Sequence, residues 1–200
     1  MAINRKDREA LRQNINLAER RSAAATGFLH SGGPEKTHRL DGDDIVRLPD
    51  GTWCLNINDR GDKKLKSKNG QRIIPLHPVL LRAGIVAFAQ SRSGLKLFHD
   101  IIPYKGKYGH QVSKDFAKYR KSLGINGEGQ TFHGIRHSVI SKLWAKGIPE
   151  AHTAAIAGHQ RGNSESYLRY SKKNDLRPLR AAIEAIDYGE MTLPSWISGK

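Results

Sequence analysis

Cysteine is nearly absent from this chain of 200 residues, in which Cys54 is the one thiol. One thiol excludes an internal disulfide and any metal site that needs several cysteines. Cys54 lies between Trp53 and Leu55 in a segment with strand character, and such a cysteine is usually a small buried apolar residue. The shortage of cysteine also agrees with a reducing compartment, so we expect a cytoplasmic protein.

Long apolar runs are missing as well. No segment approaches the roughly 18 apolar residues that a membrane-spanning helix requires, and residues 1–12 are too polar and charged for a secretory signal. The sequence also has no internal repeat. With 38% hydrophobic and 26% charged residues, it has the composition of one ordinary globular domain, and no membrane partner is expected.

Acidic residues are outnumbered by basic ones. The sequence has 34 Lys and Arg against 19 Asp and Glu, a formal net charge of +15. A positive field of this size attracts polyanions, of which nucleic acid is the commonest. The basic residues are distributed along the chain, which favours a folded cationic surface. Charge alone leaves open a generic basic protein, an RNA-binding or ribosome-associated protein, and a binder of membrane surfaces.

The first half of the chain contains the β-structure. Residues 44–48 and 52–58 alternate in the manner of strands around the turn sequence Pro49-Asp50-Gly51, which predicts a hairpin. Residues 71–75 predict a third strand, after a lysine-rich connector over 59–70. The sequence therefore predicts a small antiparallel three-stranded sheet.

Helices are predicted before and after the strands along the chain. Apolar residues at helical spacing, with glycine or proline at the boundaries, indicate helices over 4–24, 79–90, 109–123, 138–146, 148–157, 163–170 and 176–186. The expected fold class is α+β, mainly helical, with the sheet near the N-terminal side.

Three segments carry residues suited to phosphodiester chemistry: TFHGIRH at 131–137, AGH at 157–159 and YLRY at 167–170. Arginine binds phosphate because its planar fork donates two hydrogen bonds and stays charged. A tyrosine phenol has a pKa near 10, so it can attack a phosphate and later leave again. His133 and His137 also have the spacing of a zinc pair, but no Glu or Cys completes such a site nearby, and no metal is expected.

In order and spacing, these segments resemble the catalytic core of the tyrosine recombinases, the phage integrase family. Upstream, Lys66 followed by RIIPLH at 72–77 resembles the lysine of that family's β-hairpin and the run after it, and Leu40 with Asp44-Ile45 resembles the segment that leads into the hairpin. The match covers about residues 30–188.

The resemblance implies a role for each matched residue. Tyr170 would be the nucleophile, and Arg136 would hold the scissile phosphate. His133 would assist proton transfer or orient the phosphate, His159 would donate to a phosphate oxygen, and Lys66 would protonate the leaving 5′ oxygen. Other basic residues are expected to contact DNA: Lys64, Lys68, Arg72, Arg161 and Arg169. The implied partners are double-stranded DNA and further copies of the chain, as a tetramer on DNA, in a bacterial or phage-encoded protein of the cytoplasm and nucleoid. No cofactor is implied.

One position departs from the family pattern. An ungapped count back from Leu40 puts Gly33 where the family has its first catalytic arginine and Lys36 where it usually has Glu. Arg39 is nearby but lies several residues further along the chain than the family's arginine. The chain is therefore expected to be either a recombinase that uses Arg39 or Lys36 instead, or a catalytically impaired DNA-binding or regulatory relative.

Two of the implied roles have rival candidates close by in the sequence. Tyr167 rivals Tyr170 as nucleophile, and Lys64 and Lys68 rival Lys66 as general acid. We expect residues 1–188 to form the catalytic domain and 189–200 a C-terminal tail that is a candidate for exchange between protomers. The family's N-terminal core-binding domain is expected to be absent.

Overall fold

A computed structural model of the chain describes residues 39–61, 63, 71–98, 109–122, 124, 127, 131–158 and 175–187. Within the helices, the side chains of residues 109–112, 115, 119, 122, 132 and 133 are outside this description. The helices predicted over 4–24 and 163–170, and the tail 189–200, lie outside the described residues.

The three predicted strands form an antiparallel sheet in the order β1-β2-β3. They comprise β1 (Ile45–Arg47), β2 (Trp53–Ile57) and β3 (Arg72–Pro75). A tight turn joins β1 to β2, in which the amide of Gly51 donates to the carbonyl of Leu48 over 2.9 Å. The predicted hairpin and third strand are confirmed. Cys54 is fully buried in β2, as expected.

Six α-helices follow in the part of the chain that the structure describes. They are α1 (Pro78–Arg82), α2 (Ile85–Ser91), α3 (Gly109–Ser122), α4 (Phe132–Ala145), α5 (Glu150–Ala157) and α6 (Arg177–Glu184). A 3-10 turn over Gly42–Asp44 precedes β1. The predicted fold class, a mainly helical α+β fold with a small three-stranded sheet, is confirmed.

The prediction of one helix over 79–90 is wrong, because α1 and α2 are separate. Gly84 stands between them with a φ of 89°, in the left-handed region that glycine adopts without strain. The apolar run continues through the break, so periodicity alone did not reveal it. The new helix starts there, with Ile85 fully buried at its first position.

The core joins the sheet to the helices. α6 packs against β3 and α5, α5 packs against α4, and α4 packs against α3. Apolar side chains at 3% exposure or less come from the sheet and from α1, α4, α5 and α6: Leu55, Ile74, Leu80, Leu143, Ile156 and Ile183. Burying each of them stabilises the fold by roughly 1.5–3 kcal/mol before entropy is counted, and the shared core holds the helices in register with the sheet.

His77 connects the end of the sheet to the last described helix. Its Nδ1 accepts a hydrogen bond from the amide of Val79 over 3.2 Å, which caps α1, and its Nε2 lies 3.0 Å from the carbonyl of Ile186. Both contacts are made together by the neutral ring with its proton on Nε2. Burial lowers the pKa of His77, because an apolar environment disfavours the charged form.

This geometry predicts a loss of stability in mild acid. The unfolded chain binds a proton at His77 near pH 6.5, while the folded chain binds it only at lower pH, so the contribution is complete above pH 6.5 and declines as the pH falls below it. In His77→Asn, the amide oxygen still caps α1 but does not titrate. We expect a shallower decline in the free energy of unfolding between pH 7 and 5, measured by urea denaturation.

His137→Asn is the matched control, because its ring is exposed on α4. The slope should change more in His77→Asn than in this variant. An unchanged slope in His77→Asn would show that the acid sensitivity arises elsewhere.

Candidate active site

The segment TFHGIRH lies at the start of α4. The hydroxyl of Thr131 accepts a hydrogen bond from the amide of Gly134 over 3.1 Å and caps the helix. The helix therefore begins at Phe132, not at Ser138 as the apolar periodicity predicted. His133 is consequently in the first turn and Arg136 in the second, although the side chain of His133 lies outside the described residues.

Arg136 is held at the edge of the core. It is half-buried, and its neighbours Ile135 and Val139 on α4 are 8% and 0% exposed. Burial lowers the pKa of the Arg136 guanidinium, which remains charged because arginine keeps its proton in proteins. A partly desolvated cation on a packed helix interacts more strongly with an anion than one surrounded by water. His137, the next residue, is exposed.

Gly158 ends α5, as predicted, with a φ of 68° and its amide bonded to the carbonyl of Ala154. The next residue is His159, which lies outside the described residues. The guanidinium of Arg72, on β3, lies beneath this turn, and its Nε donates to the carbonyl of Ile156 over 3.2 Å. The structure thus connects β3 directly to the backbone that leads into His159.

Arg72 was predicted to contact DNA, but the structure places it inside the protein. It is 8% exposed, and the contact that its Nε makes is to a backbone carbonyl of α5. The geometry of β3 explains this placement. Arg72 and Ile74 are two residues apart on β3, so they share one face of the sheet, and Ile74 is fully buried.

Lys63 anchors the start of the connector between β2 and β3. Its ammonium group lies 2.6 Å from Oδ2 of Asp44 and 2.7 Å from Oδ2 of Asp41, and it is 6% exposed. Asn58 donates to Asp44 over 2.7 Å. At the far end, Gln71 donates to Asp59. Both ends of the segment that contains Lys66 are therefore fixed.

The role of Lys63 has no signal in the sequence, because nothing local distinguishes it from Lys64 beside it. Lys66 and the other predicted DNA contacts of this connector, Lys64 and Lys68, lie outside the described residues. So do Tyr170, its rival Tyr167, and Arg161 and Arg169. Their positions in the site remain predictions.

Three residues lie at or near the position of the family's first catalytic arginine: Gly33, Lys36 and Arg39. The structure describes Arg39. Gly33 and Lys36 lie outside the described residues. Arg39 is half-buried, next to Leu40, whose carbonyl accepts a hydrogen bond from the amide of Leu97 over 2.8 Å. Arg39 is therefore at the edge of the core, in front of the 3-10 turn that leads into β1.

The described ranges contain neither a metal site nor a membrane span. Among those residues, no group of His, Cys, Asp and Glu is arranged to hold a metal ion. Over the same ranges, no helix combines the length and the apolar character needed to cross a membrane.

The architecture is that of a phage integrase-like fold. The integrase from mycobacterium phage Brujita has a similar structure, with a TM-score of 0.59 and 15% sequence identity over 93% of this chain. The match spans 60% of the length of that integrase. No protein-family model and no curated protein sequence matches the chain. The likeness is therefore one of fold.

The cluster around Lys63 yields a test of stability. In Lys63→Met, the carboxylate of Asp44, which is 6% exposed, loses its cation inside the protein. Breaking a buried ion pair from one side costs about 3–5 kcal/mol, and we expect a loss of that order in the free energy of unfolding, measured with urea.

Lys96→Met is the control, since Lys96 pairs with Asp41 over 3.0 Å where both side chains are about 30% exposed. Solvent screens that pair, so its loss should cost about 1 kcal/mol or less. Adding Asp44→Asn to Lys63→Met should restore part of the stability. Equal losses in the two lysine variants would contradict the buried cluster.

Proposed function

We propose that the chain is the DNA breaking and rejoining domain of a site-specific recombinase of the tyrosine type. The observation that carries the proposal is the contact between three elements of the fold. α4 contains Arg136, α5 ends immediately before His159, and β3 follows the connector with Lys66. These elements meet through the packing of α4 on α5 and through the Arg72–Ile156 bond.

The chemistry assigned to these residues is a transesterification. The phenol oxygen of Tyr170 attacks the scissile phosphorus, loses its proton, and forms a 3′-phosphotyrosyl bond as the bond to the 5′ oxygen breaks. Lys66 donates the proton that the 5′ oxygen takes up. Arg136 and His159 stabilise charge on the non-bridging oxygens, and His133 assists proton transfer. The reverse reaction rejoins DNA without ATP, because the covalent bond conserves the energy.

The partner in this proposal is double-stranded DNA. The integrase fold and the charge of +15 support it. Lys64, Lys68, Arg161 and Arg169 are proposed to contact the phosphate backbone, together with exposed lysines of α3. We also propose that the chain acts as a tetramer on DNA, with residues 1–188 as the catalytic unit and 189–200 as a tail, in the cytoplasm of a bacterial cell.

A second candidate function is DNA binding with little cleavage, and Gly33 favours it. Two guanidiniums share the phosphate charge in the tyrosine recombinase mechanism, and loss of one preorganised donor lowers a rate by about 10²–10³-fold. Gly33→Arg distinguishes the two functions. A large gain in cleavage would identify the parent chain as impaired, while strong cleavage by the parent would exclude this second candidate.

Covalent trapping tests the nucleophile. A nick just beyond the scissile phosphate lets the short strand with the new free 5′-hydroxyl diffuse away after cleavage, so that the protein–DNA bond persists and is seen as a shifted band on a denaturing gel. Tyr170→Phe removes the attacking oxygen, and we expect the yield of covalent complex to fall by about 10³-fold or more.

Tyr167→Phe is the control, because it removes the rival phenol three positions earlier. It is expected to give about the parent yield. If Tyr167→Phe abolishes the complex and Tyr170→Phe does not, the nucleophile is Tyr167. If both variants form as much complex as the parent, the tyrosine mechanism is excluded.

The DNA surface can be tested on α3. Lys114, Lys118 and Lys121 are exposed and lie at positions i, i+4 and i+7, on one face of the helix. Each phosphate contact contributes about 0.9 to the slope of log binding constant against log salt concentration. Replacing all three by Gln should lower that slope by up to about 3, measured by fluorescence anisotropy with duplex DNA.

Arg177 and Arg180 provide the control, since both are exposed but paired, with Asp175 and Glu184. Replacing these two by Gln should change the salt slope much less. A slope that the lysine variants leave unchanged would remove this face of α3 from the DNA surface. Equal affinity for structured RNA and duplex DNA would favour an RNA-binding protein instead.

A further inference from the structure

Arg72 makes a contact with a residue that lies 84 positions away in the sequence. Arg72 is the first residue of β3, directly after the connector with Lys66, and its Nε bonds the carbonyl of Ile156 in the last turn of α5. The carbonyl groups at the end of a helix lack intrahelical partners and carry partial negative charge. A cation placed there satisfies one of them and also interacts favourably with the helix dipole.

The turn at Gly158 leaves space that the guanidinium of Arg72 occupies. Gly158 has a positive φ, and a Cβ at this position would lie 2.6 Å from Cζ of Arg72. No side chain fits in that space without moving the guanidinium. The turn after α5 therefore depends on two features, a glycine that leaves room and an arginine that fills it.

We infer that Arg72 is a positioning residue that sets the direction in which the chain leaves α5 towards His159. The inference rests on the proposed function for the role of His159. Arg72 acts through the protein backbone: by holding the carbonyl of Ile156, it fixes the turn at Gly158, and the next residue is the proposed phosphate ligand. A displacement of about 1 Å at a reacting group lowers a rate by about 10²-fold.

Arginine suits this position better than lysine. Its planar group has five donors and is weakly hydrated, so it can be buried flat against a backbone turn. The ammonium of lysine is compact and strongly hydrated. Arg72→Lys should therefore restore only part of the function that Arg72→Met removes.

The first arm of the test measures cleavage of a nicked duplex in a single turnover. We expect Arg72→Met to slow covalent-complex formation by about 10²-fold, with Arg72→Lys between it and the parent. Gly158→Ala displaces the guanidinium without removing it and should also slow the reaction. Arg92→Met is the matched control, because Arg92 also donates to a backbone carbonyl, that of Lys96 over 3.0–3.1 Å, and should cleave at the parent rate.

The second arm asks whether Arg72 acts through His159. If it does, adding Arg72→Met to His159→Ala should cause little further loss, whereas adding it to Lys66→Ala should cause the full loss. A general structural effect would slow both double variants equally. Full additivity with His159→Ala would overturn the inference.

The third arm does not require activity. Amide hydrogen exchange in the folded protein reports the opening of peptides 155–160, and we expect it to accelerate in Arg72→Met and Gly158→Ala but not in Arg92→Met. Unchanged exchange in the first two variants would overturn the inference. A parent chain that forms no covalent complex would refute the proposed function, and the exchange rates would still decide whether Arg72 holds the turn.

Discussion

The contact between Arg72 and the carbonyl of Ile156 connects the sheet to the helices, at the end of α5 that directly precedes His159. Burial of a guanidinium is unfavourable unless hydrogen bonds replace its water, so the contact exists only when β3, the end of α5 and Gly158 are all in place. Packing of α6 against β3 and α5 supplies the surrounding apolar contacts. The relative position of α5 and the sheet is consequently restricted by geometry as well as by hydrophobic burial.

The cationic side chains of this protein fall into two groups with different physical roles. Lys63 and Arg72 are buried and have partners inside the protein, so they stabilise the described residues that border the segments with Lys66 and His159. The lysines on the exposed face of α3 are surrounded by water and contribute to the field outside the protein. The net charge of +15 therefore includes buried cations that stabilise the fold as well as exposed cations that act on the surroundings.

Local sequence predicted much of the fold, because turn residues and periodicity are local properties. The hairpin, the third strand and the end of α5 at Gly158 followed from such signals. The start of α4 differs from the prediction because the helix is capped at Thr131, ahead of its main apolar stripe, and the apolar run through Gly84 gives no sign of the break there. The role of Lys63 could not be predicted, because its partners Asp41 and Asp44 are distant in sequence and resemble any other acidic residues.

In the candidate site, too, some features were predictable from the sequence and others depend on residues that are distant in the sequence. The order of the motifs predicted an integrase-like fold, and the structural similarity to the Brujita phage integrase supports that prediction. The placement of Arg72 depends on Ile156, which is 84 residues away. Arg72 shares one face of β3 with the buried Ile74, but Ile73 is as apolar as Ile74, so no local pattern indicates which face is buried or which carbonyl Arg72 meets.

The burial of Cys54 has a practical consequence for chemical labelling. Burial raises the pKa of its thiol to about 12, and its Sγ faces the carbonyl of Thr52 within the sheet. Alkylating and oxidising reagents react with the thiolate, which is almost unpopulated at neutral pH under these conditions. The natural chain therefore behaves towards such reagents almost as if it had no cysteine. A cysteine introduced near Lys66 or Tyr170 could carry a spectroscopic probe without prior removal of the natural thiol.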